Sequence, residues 1–274
     1  MQLYVDPSDD SDLISREMTC RGDEKNWLEL VCQDEPLTLA VDALGAISSS
    51  SQPSLMAAML QSLRCSGGER VLEIGTGSGY NAALLCHGLL DELVASVDID
   101  AALVDNARSR LSDVGYFPDL ASADGEAGYQ DAAPYDRLVA TCSVARVPLA
   151  WLSQTNPGGF ELANLYRALG AGALVLLRID DRGDASGHFE PYRAESMPSM
   201  NVSRAQAVRL MPEHYQVESA ESRPTDVTAA TLGDDAFGML AALSADAQQF
   251  ILLSDDRPEE LCSLARMAPG HHPP

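Results

Sequence analysis

Apolar and polar positions along the chain alternate between strand-like and helix-like patterns. Short apolar runs of strand length occur at Val71–Ile74, Leu93–Val97, Leu120–Ala123, Tyr135–Thr141 and Ala173–Leu177. Between them, apolar residues recur at helical spacing, as in Leu55–Leu63 and Leu103–Leu111. Strands that alternate with helices in this way are typical of βαβ units around a parallel sheet. We therefore predict an α/β fold with a mostly parallel, doubly wound sheet.

The pattern changes on both sides of this region. Residues 1–47 are expected to form an irregular leading segment, and Ser48–Ser51 a loop, because serine hydroxyls compete with the backbone for hydrogen bonds. Beyond residue 180 the alternation weakens, and glycine, proline and charged residues become frequent. We divide the chain into an N-terminal segment (1–47), a ligand-binding domain (48–180) and a C-terminal extension (181–274). The extension could bind a peptide or act as a lid.

Composition narrows the classes of partner. Of the 274 residues, 41 are acidic and 18 are basic, which gives a formal net charge of −23. A protein this acidic should repel nucleic acids and anionic membrane surfaces, and no apolar run has the length of a membrane span. The first residues lack the basic and apolar regions of a signal peptide, so we expect a cytoplasmic location. The six cysteines show no metal or redox spacing, and we expect no metal site.

The strongest local signal is a glycine-rich stretch between a predicted strand and a predicted helix. It reads Glu73-Ile-Gly-Thr-Gly-Ser-Gly79, with glycine at every second position from Gly75. Glycine allows a ligand to approach the backbone closely, and the following helix begins with free N–H groups. Dinucleotide sites use the spacing Gly-x-Gly-x-x-Gly, which argues against a nicotinamide-dependent enzyme. The alternating spacing suits a nucleoside that carries a methionine tail.

Acidic residues follow the next two predicted strands. Asp98 ends the strand after the glycine loop, where a carboxylate can accept hydrogen bonds from both ribose hydroxyls. Asp100 lies close by, and one of the two is expected to cap the next helix; we assign the ribose role to Asp98. Asp124, followed by Gly125, ends the third strand, where it could accept a hydrogen bond from an adenine amino group or simply form a turn. Ligands of open α/β sheets bind at this edge.

With these motifs, the sequence resembles the protein-L-isoaspartate O-methyltransferases from about Ser48 to Gly159. The stretches that carry the resemblance are Ser51-Gln52-Pro53, Val71–Tyr80, Asp124-Gly125, Pro134–Asp136 and Pro157–Gly159. The resemblance implies a Rossmann-like class I methyltransferase fold and S-adenosylmethionine as the cofactor. The residues that it implies for cofactor binding are Glu73, Gly75, Thr76, Gly77, Ser78, Gly79, Asp98, Ile99, Asp124 and Gly125.

The same resemblance places the methyl acceptor beside the Ser-Gln-Pro element. It implies that Ser51 lies next to the reacting carboxylate, to which a serine hydroxyl can donate a hydrogen bond. It also implies that Ser50, Gln52 and Pro53 contribute to substrate binding. The alternative is that the serine run is only a flexible loop. An aspartate carboxylate is already ionised at neutral pH, so we expect neither a general base nor a metal in the reaction.

Two features separate the chain from the repair enzymes of this family. It carries a long C-terminal extension, and Phe160–Leu165 stands where those enzymes continue into a short apolar strand. A branch associated with ribosomally made, modified peptides (lanthipeptides, graspetides and lasso peptides) is similar to this chain in several stretches. These are Ser48–Ser54, Tyr80–Leu85, Pro134–Arg137 and Val147–Leu152.

The resemblance to that branch implies methylation of an ordinary aspartate in a constrained precursor peptide. The methyl ester would close to an aspartimide, which can open to isoaspartate. The alternatives are general repair of isoaspartate in proteins and a non-catalytic protein that binds S-adenosylmethionine. In both enzymatic cases the partner is a peptide or protein that bears aspartate or isoaspartate, and the sequence leaves the oligomeric state open.

Overall fold

The computed structural model describes residues 2–5, 16–19, 24–42, 45–166, 172–191, 221–224, 250–253 and 263–266. The chain divides into two compact units. One comprises Met1–Asn164 with Leu174–Asn201, and the other comprises Leu165–Ala173 with Val202–Pro274. The leading segment folds into a sheet within the first unit, and the division into three segments made from the sequence stays a prediction.

The leading segment is a four-stranded antiparallel sheet, although the sequence predicted an irregular segment. Its strands, in the order β2-β1-β3-β4, are β1 (Gln2–Val5), β2 (Arg16–Thr19), β3 (Leu37–Asp42) and β4 (Gly45–Ser50), and helix α1 (Glu24–Val31) precedes β3. Ser49 and Ser50 pair with Thr38 and Leu37, so most of the serine run is strand rather than the predicted loop. Serine has little strand preference of its own, and pairing with a distant segment overrides the local signal.

The central sheet of seven strands confirms the predicted mostly parallel α/β fold. Its strands are β5 (Val71–Ile74), β6 (Val94–Asp98), β7 (Asp119–Ser122), β8 (Tyr135–Val144), β9 (Thr155–Tyr166), β10 (Gly172–Ile179) and β11 (Ala185–Phe189). Their order is β11-β10-β9-β8-β5-β6-β7; β5 is parallel to β6 and β8, and β6 to β7, while β10 and β11 are antiparallel. The strand order reverses between β5 and β8, and ligands of such sheets bind at the carboxyl ends beside this reversal.

Four helices accompany the sheet strands: α2 (Pro53–Leu63), α3 (Tyr80–Gly88), α4 (Ala101–Asp113) and α5 (Leu149–Gln154). Helix α4 is capped by Asp100, whose Oδ1 accepts hydrogen bonds from the amides of Ala102 at 2.8 Å and Leu103 at 3.4 Å. The capping role expected for one member of the Asp98 and Asp100 pair therefore belongs to Asp100, which leaves the Asp98 carboxylate for another task.

An apolar cluster fixes β5, and with it the glycine loop, against α2 and α3. Its members, each at most 4% exposed, are Met59, Leu63, Val71, Leu85, Cys86, Val94, Val139, Leu162, Leu174 and Leu176. Complete burial of one such leucine contributes roughly 1.5–3 kcal/mol. Leu162 belongs to β9, so the stretch that follows Gly159 is a packed strand of the core. Pro157–Gly159, one of the stretches that carry the resemblance, lies inside β9 with Gly158 at φ 83°.

The second unit contains a three-stranded antiparallel sheet in the order β12-β14-β13. Its strands are β12 (Glu221–Pro224), β13 (Phe250–Leu253) and β14 (Ser263–Arg266). The remainder of the predicted C-terminal extension beyond residue 191, with the peptide-binding or lid role suggested for it, lies outside the described residues. None of the helices in the described part of the chain is long and apolar enough to cross a membrane.

Candidate active site

The glycine-rich stretch forms the turn from β5 into α3. Gly75, Gly77 and Gly79 have φ values of 99°, 51° and 81°, a region that residues with side chains rarely adopt. A Cβ atom on Gly75 would lie 2.5 Å from Oγ1 of Thr141, and one on Gly79 would lie 3.0 Å from Cβ of Ala107 in α4. Glycine is therefore required here both for the turn and for its close packing against β8 and α4.

Both neighbouring strands anchor this loop. The amides of Gly75 and Thr76 donate hydrogen bonds to the carbonyl oxygen of Val97 in β6, at 2.8 and 3.2 Å. From β8, the Thr141 hydroxyl donates to the carbonyl oxygens of Gly75 at 2.7 Å and Ile74 at 3.1 Å. The loop is thus held in one conformation at the carboxyl edge of the sheet.

A buried polar network lies beneath the loop and centres on Glu73. Its Oε1 accepts a hydrogen bond from Nδ2 of Asn81 at 2.8 Å, and its Oε2 accepts one from Oγ of Ser96 at 2.6 Å. Ser96 has only one hydroxyl proton to donate, so Thr76, whose Oγ1 lies 2.7 Å away, donates to the Ser96 oxygen. Burial raises the pKa of Glu73 to about 7, although the bonds from Ser96 and Asn81 favour the charged form. Perturbed carboxylates of this kind are frequent in functional sites.

Asp98 joins the end of β6 to the glycine loop. Its Oδ2 accepts a hydrogen bond of 2.9 Å from the amide of Gly77, and its Oδ1 accepts one of 3.1 Å from the amide of Asp100. Ile99, which follows it, leaves 48% of its side chain exposed. A fixed carboxylate and an apolar side chain therefore stand next to each other where the sequence predicted a ribose and adenine site.

The Asp124-Gly125 pair closes the end of β7 against the same edge. Asp124 Oδ1 accepts a 3.0 Å hydrogen bond from the amide of Glu126, so the carboxylate forms the turn that the sequence left open as its alternative role. A Cβ atom on Gly125 would lie 2.5 Å from Cγ2 of Ile74, and the Gly125 carbonyl accepts a 2.7 Å bond from Nε1 of Trp151. Contact of Asp124 with an adenine stays a prediction.

A cleft that opens to solvent lies over the glycine loop, with about 260 Å³ of empty space when the adjoining solvent is included. Its lining residues are Ser49, Ser50, Ser51, Met56, Glu73, Gly75, Thr76, Gly77, Ser78, Asn81 and Thr141. The end of β4 and the start of α2 supply the serines and the methionine. The structure therefore brings predicted acceptor residues, Ser50 and Ser51, to the same cleft as much of the predicted cofactor loop.

The predicted and the observed linings differ at several positions. The predicted residues outside the lining are Gln52, Pro53, Gly79, Asp98, Ile99, Asp124 and Gly125. Four lining residues were not predicted from the sequence: Ser49, Met56, Asn81 and Thr141. Two of them carry a signal in the sequence. Asn81 follows the glycine loop directly, and Thr141 lies near the carboxyl end of a parallel strand, where ligand sites form. Ser49 and Met56 had no comparable local signal.

Other reactive side chains are dispersed. In the described ranges, no group of three or more His, Cys, Asp or Glu residues is arranged to hold a metal ion. Cys32, Cys65, Cys86 and Cys142 are free thiols, and burial raises the pKa values of Cys86 and Cys142 to about 12. The thiols of Cys86 and Cys142 are therefore protonated at neutral pH and poorly nucleophilic.

Comparison with known proteins agrees with this geometry. The family model for protein-L-isoaspartate(D-aspartate) O-methyltransferase matches residues 18–183. A protein-L-isoaspartate O-methyltransferase 1 of Anaeromyxobacter sp. is 39% identical over 136 residues, which cover 49% of this chain and 62% of the relative. A protein-L-isoaspartate O-methyltransferase of Myxococcus xanthus is 46% identical over 110 residues, which cover 40% of this chain and 51% of the relative.

Other comparisons cover more of the molecule. A protein-L-isoaspartate O-methyltransferase 2 of Pelobacter propionicus is 36% identical over 177 residues, which cover 64% of this chain and 72% of the relative. A solved structure of a protein-L-isoaspartate O-methyltransferase superposes with a TM-score of 0.58 at 22% identity, over 88% of this chain and 77% of that one. At this level of identity, the structural similarity shows a shared fold only. The chain spans about half to two thirds of the length of the first relatives that it matches.

Proposed function

The chain belongs to the protein-L-isoaspartate(D-aspartate) O-methyltransferase family, and on this premise we propose that it transfers a methyl group from S-adenosylmethionine to a carboxylate of a protein or peptide. The observation that carries the proposal is the meeting of three elements in one place. The glycine loop, the buried Glu73 and the serine end of β4 line one cleft, and Asp98 is hydrogen-bonded to the loop itself.

The residues present fit this cofactor. At Gly77, which lines the cleft, the nearest atom to a Cβ position would be the carbonyl oxygen of Ser49 at 3.7 Å, and the missing side chain allows close approach of a ligand to the loop backbone. Asp98 would accept hydrogen bonds from ribose hydroxyls, and the exposed face of Ile99 would pack against the base. Glu73, when charged, would attract the ammonium group of the methionine part. Once bound there, S-adenosylmethionine would supply an electrophilic methyl group.

The chain's own task is then to hold the acceptor. A carboxylic acid of the aspartate type has a pKa near ~3.9 and is ionised at neutral pH, so no group of the protein has to remove a proton. Ser51 and Ser50, which line the same cleft as the glycine loop, would donate hydrogen bonds to carboxylate oxygens and replace lost water. Correct alignment of acceptor and methyl group is the main source of rate in such a site.

The comparisons favour isoaspartate in damaged proteins as the acceptor. The relatives described above all carry the name protein-L-isoaspartate O-methyltransferase, which supports the alternative hypothesis of isoaspartate repair. The first hypothesis from the sequence, methylation of an ordinary aspartate in a modified precursor peptide, receives no support from these relatives. We therefore propose general isoaspartate methylation as the function of this chain.

Methyl transfer to defined peptides tests the proposal. The native chain is incubated with S-adenosylmethionine and a short isoaspartyl peptide, and the peptide mass is followed with time. A peptide of the same sequence with ordinary L-aspartate is the matched control, and an internally crosslinked aspartyl peptide is the third substrate. We expect a gain of one methyl group on the isoaspartyl peptide, followed by loss of methanol as the ester closes to a succinimide.

Other results would assign the chain differently. Methylation of the crosslinked aspartyl peptide alone would favour the modified-peptide function. Uptake of the cofactor without transfer to any of the three peptides would leave a binding protein and would contradict the proposed enzyme.

A further inference from the structure

Asp34, in the turn between α1 and β3, contacts the segment that carries the proposed acceptor residue. We propose that Asp34 is a positioning residue for the methyl acceptor: it fixes the first turn of α2 and thereby the place of Ser51 at the cleft. This inference rests on the proposed function, and it goes beyond it by assigning a role to a side chain outside the cleft.

The contacts of Asp34 reach 18 and 20 residues along the chain. Its Oδ2 accepts a hydrogen bond of 3.1 Å from Nε2 of Gln52, and its Oδ1 accepts one of 2.8 Å from the amide of Ser54. Gln52 is the N-cap residue of α2 but makes no capping bond with its own side chain. Asp34 therefore satisfies an amide of the first helical turn that a local serine, threonine or aspartate would normally satisfy.

The charge of Asp34 suits this position. The hydrogen bond from the Ser54 amide, supported by that from Gln52, lowers the pKa of its carboxyl group. The carboxylate is thus charged at neutral pH, next to the positive end of the helix dipole of α2. An uncharged side chain would lose part of this attraction even where it kept an oxygen in place.

The position of Ser51 depends on these contacts. The hydrogen bond to Asp34 fixes Gln52. Ser51, the residue before Gln52, lines the cleft, and so does Met56 in the first turn of α2. Removal of the Asp34 carboxylate would free Gln52 and the first turn of α2 together. The acceptor side of the cleft would then lose its fixed geometry, whereas the glycine loop keeps its anchors in β6 and β8.

The other end of α2 offers a matched control. Glu69 Oε2 accepts hydrogen bonds from the amides of Ser66, Gly67 and Gly68, at 2.8, 2.9 and 3.1 Å, and Glu69 also pairs with Arg137. Arg137 in turn donates to the carbonyl oxygen of Leu63 at 2.6 Å. A change at Glu69 loosens the same helix at its carboxyl end without touching a residue that lines the cleft.

The test compares Asp34→Ala, Asp34→Asn and Glu69→Gln with the native chain. For each, kcat and KM are measured for an isoaspartyl peptide, with the Kd for S-adenosylhomocysteine and the midpoint of thermal unfolding. Asp34→Ala should lower kcat/KM for the peptide roughly three- to tenfold, the size expected for lost hydrogen bonds, and leave the Kd unchanged. Asp34→Asn keeps an acceptor for the Ser54 amide and should restore part of the loss.

Glu69→Gln should lower the unfolding midpoint and leave kcat/KM unchanged. Native kcat/KM in both Asp34 variants would overturn the inference and leave the proposed function standing. Equal losses of kcat/KM in Asp34→Ala and Glu69→Gln would also overturn it, because the effect would then come from stability alone. Absence of methyl transfer by the native chain would overturn the proposed function, and the inference with it.

Discussion

The backbone amide of Gly77 donates a 2.9 Å hydrogen bond to Oδ2 of Asp98, so the glycine loop after β5 and the carboxylate at the end of β6 form one unit. Neighbouring parallel strands place their carboxyl ends together, and this bond fixes the loop against the neighbouring strand. The Asp98 carboxylate thereby serves both the loop conformation and the proposed contact with a ribose.

Asp98→Ala should weaken cofactor binding more than it lowers the stability of the fold. The variant loses a charged acceptor for ribose hydroxyls and the contact with Gly77, and a hydrogen bond to a charged group is worth about 1.5–3 kcal/mol. We therefore expect the Kd for S-adenosylhomocysteine, measured by calorimetry, to rise roughly ten- to hundredfold. Asp100→Asn is the control, because asparagine caps a helix as well as aspartate does. Equal weakening in both variants would argue for a general effect of charge.

Gly75→Ala should prevent cofactor binding. Its φ of 99° is strained for alanine, and the added Cβ would lie 2.5 Å from Oγ1 of Thr141, which holds the loop carbonyls. Gly115→Ala is the matched control, since Gly115 also has a positive φ, 85°, but open space around its Cβ position. Both variants should lose about 1 kcal/mol or more of unfolding free energy. Retention of cofactor affinity by Gly75→Ala would contradict the dependence of cofactor binding on the loop conformation that Thr141 holds.

Cofactor affinity should depend on pH through Glu73. Burial raises the pKa of Glu73 to about 7, so the carboxylate is charged above that pH and increasingly neutral below it. A cationic ammonium binds the charged form, and affinity for S-adenosylhomocysteine should therefore fall as the pH drops from 8 to about 6. Glu73→Gln should remove most of this dependence over the same titration. If the affinity of Glu73→Gln still fell with decreasing pH, the titration would belong to a group other than Glu73.

Glu161 should make the fold less stable as the pH rises. Its carboxylate is fully buried in β9, neither oxygen has a hydrogen-bond partner in the described structure, and the Thr155 hydroxyl beside it donates to the Trp151 carbonyl at 3.0 Å. Burial raises the pKa of Glu161 to about 7, an effect that the proximity of Thr155 only partly offsets.

The folded-state pKa of Glu161 lies above the ordinary value of 4.5. The folded chain therefore holds this proton more tightly than the unfolded chain, and stability is lost as the pH rises from about 4.5 through about 7. Glu161→Gln should show a gain in unfolding free energy over the native chain that grows across this interval and then levels off. Denaturant unfolding at a series of pH values measures it, and a constant difference would contradict the buried charge.

The part of the site that the sequence predicted is the part built from local signals. Glu73, the glycines and Asp98 lie at the ends of short apolar strands, where turn and strand chemistry alone indicates a ligand site. Asp100 likewise followed from the rule for helix caps. Such features depend on neighbours within a few positions, and the pattern of apolar residues predicts the strand ends at which they lie; their contact with a ligand stays a prediction.

The missed features depend on distant contacts. Thr141 meets Gly75 across 66 positions, and Asp34 meets Gln52 across 18. Ser49 lies in a strand only because it pairs with Thr38, and a run of serines carries no mark of such pairing. Glu161 was also not predicted to be buried, because a charged residue interrupts the apolar pattern, yet it lies within the packed strand β9. Partners of this kind can be identified only from the folded structure, in which the central sheet and the pair of strands β3 and β4 are assembled.

The cleft joins the proposed cofactor loop to the proposed acceptor residue Ser51. The most direct test of this proposal compares the initial rate of methyl transfer to an isoaspartyl peptide between the native chain and Ser51→Ala. The native chain should methylate the peptide. Ser51→Ala should do so several-fold to about tenfold more slowly, as for one lost hydrogen bond, with an unchanged Kd for S-adenosylhomocysteine. No transfer by the native chain, or a loss of cofactor affinity in Ser51→Ala as large as the loss of rate, would contradict the site described above.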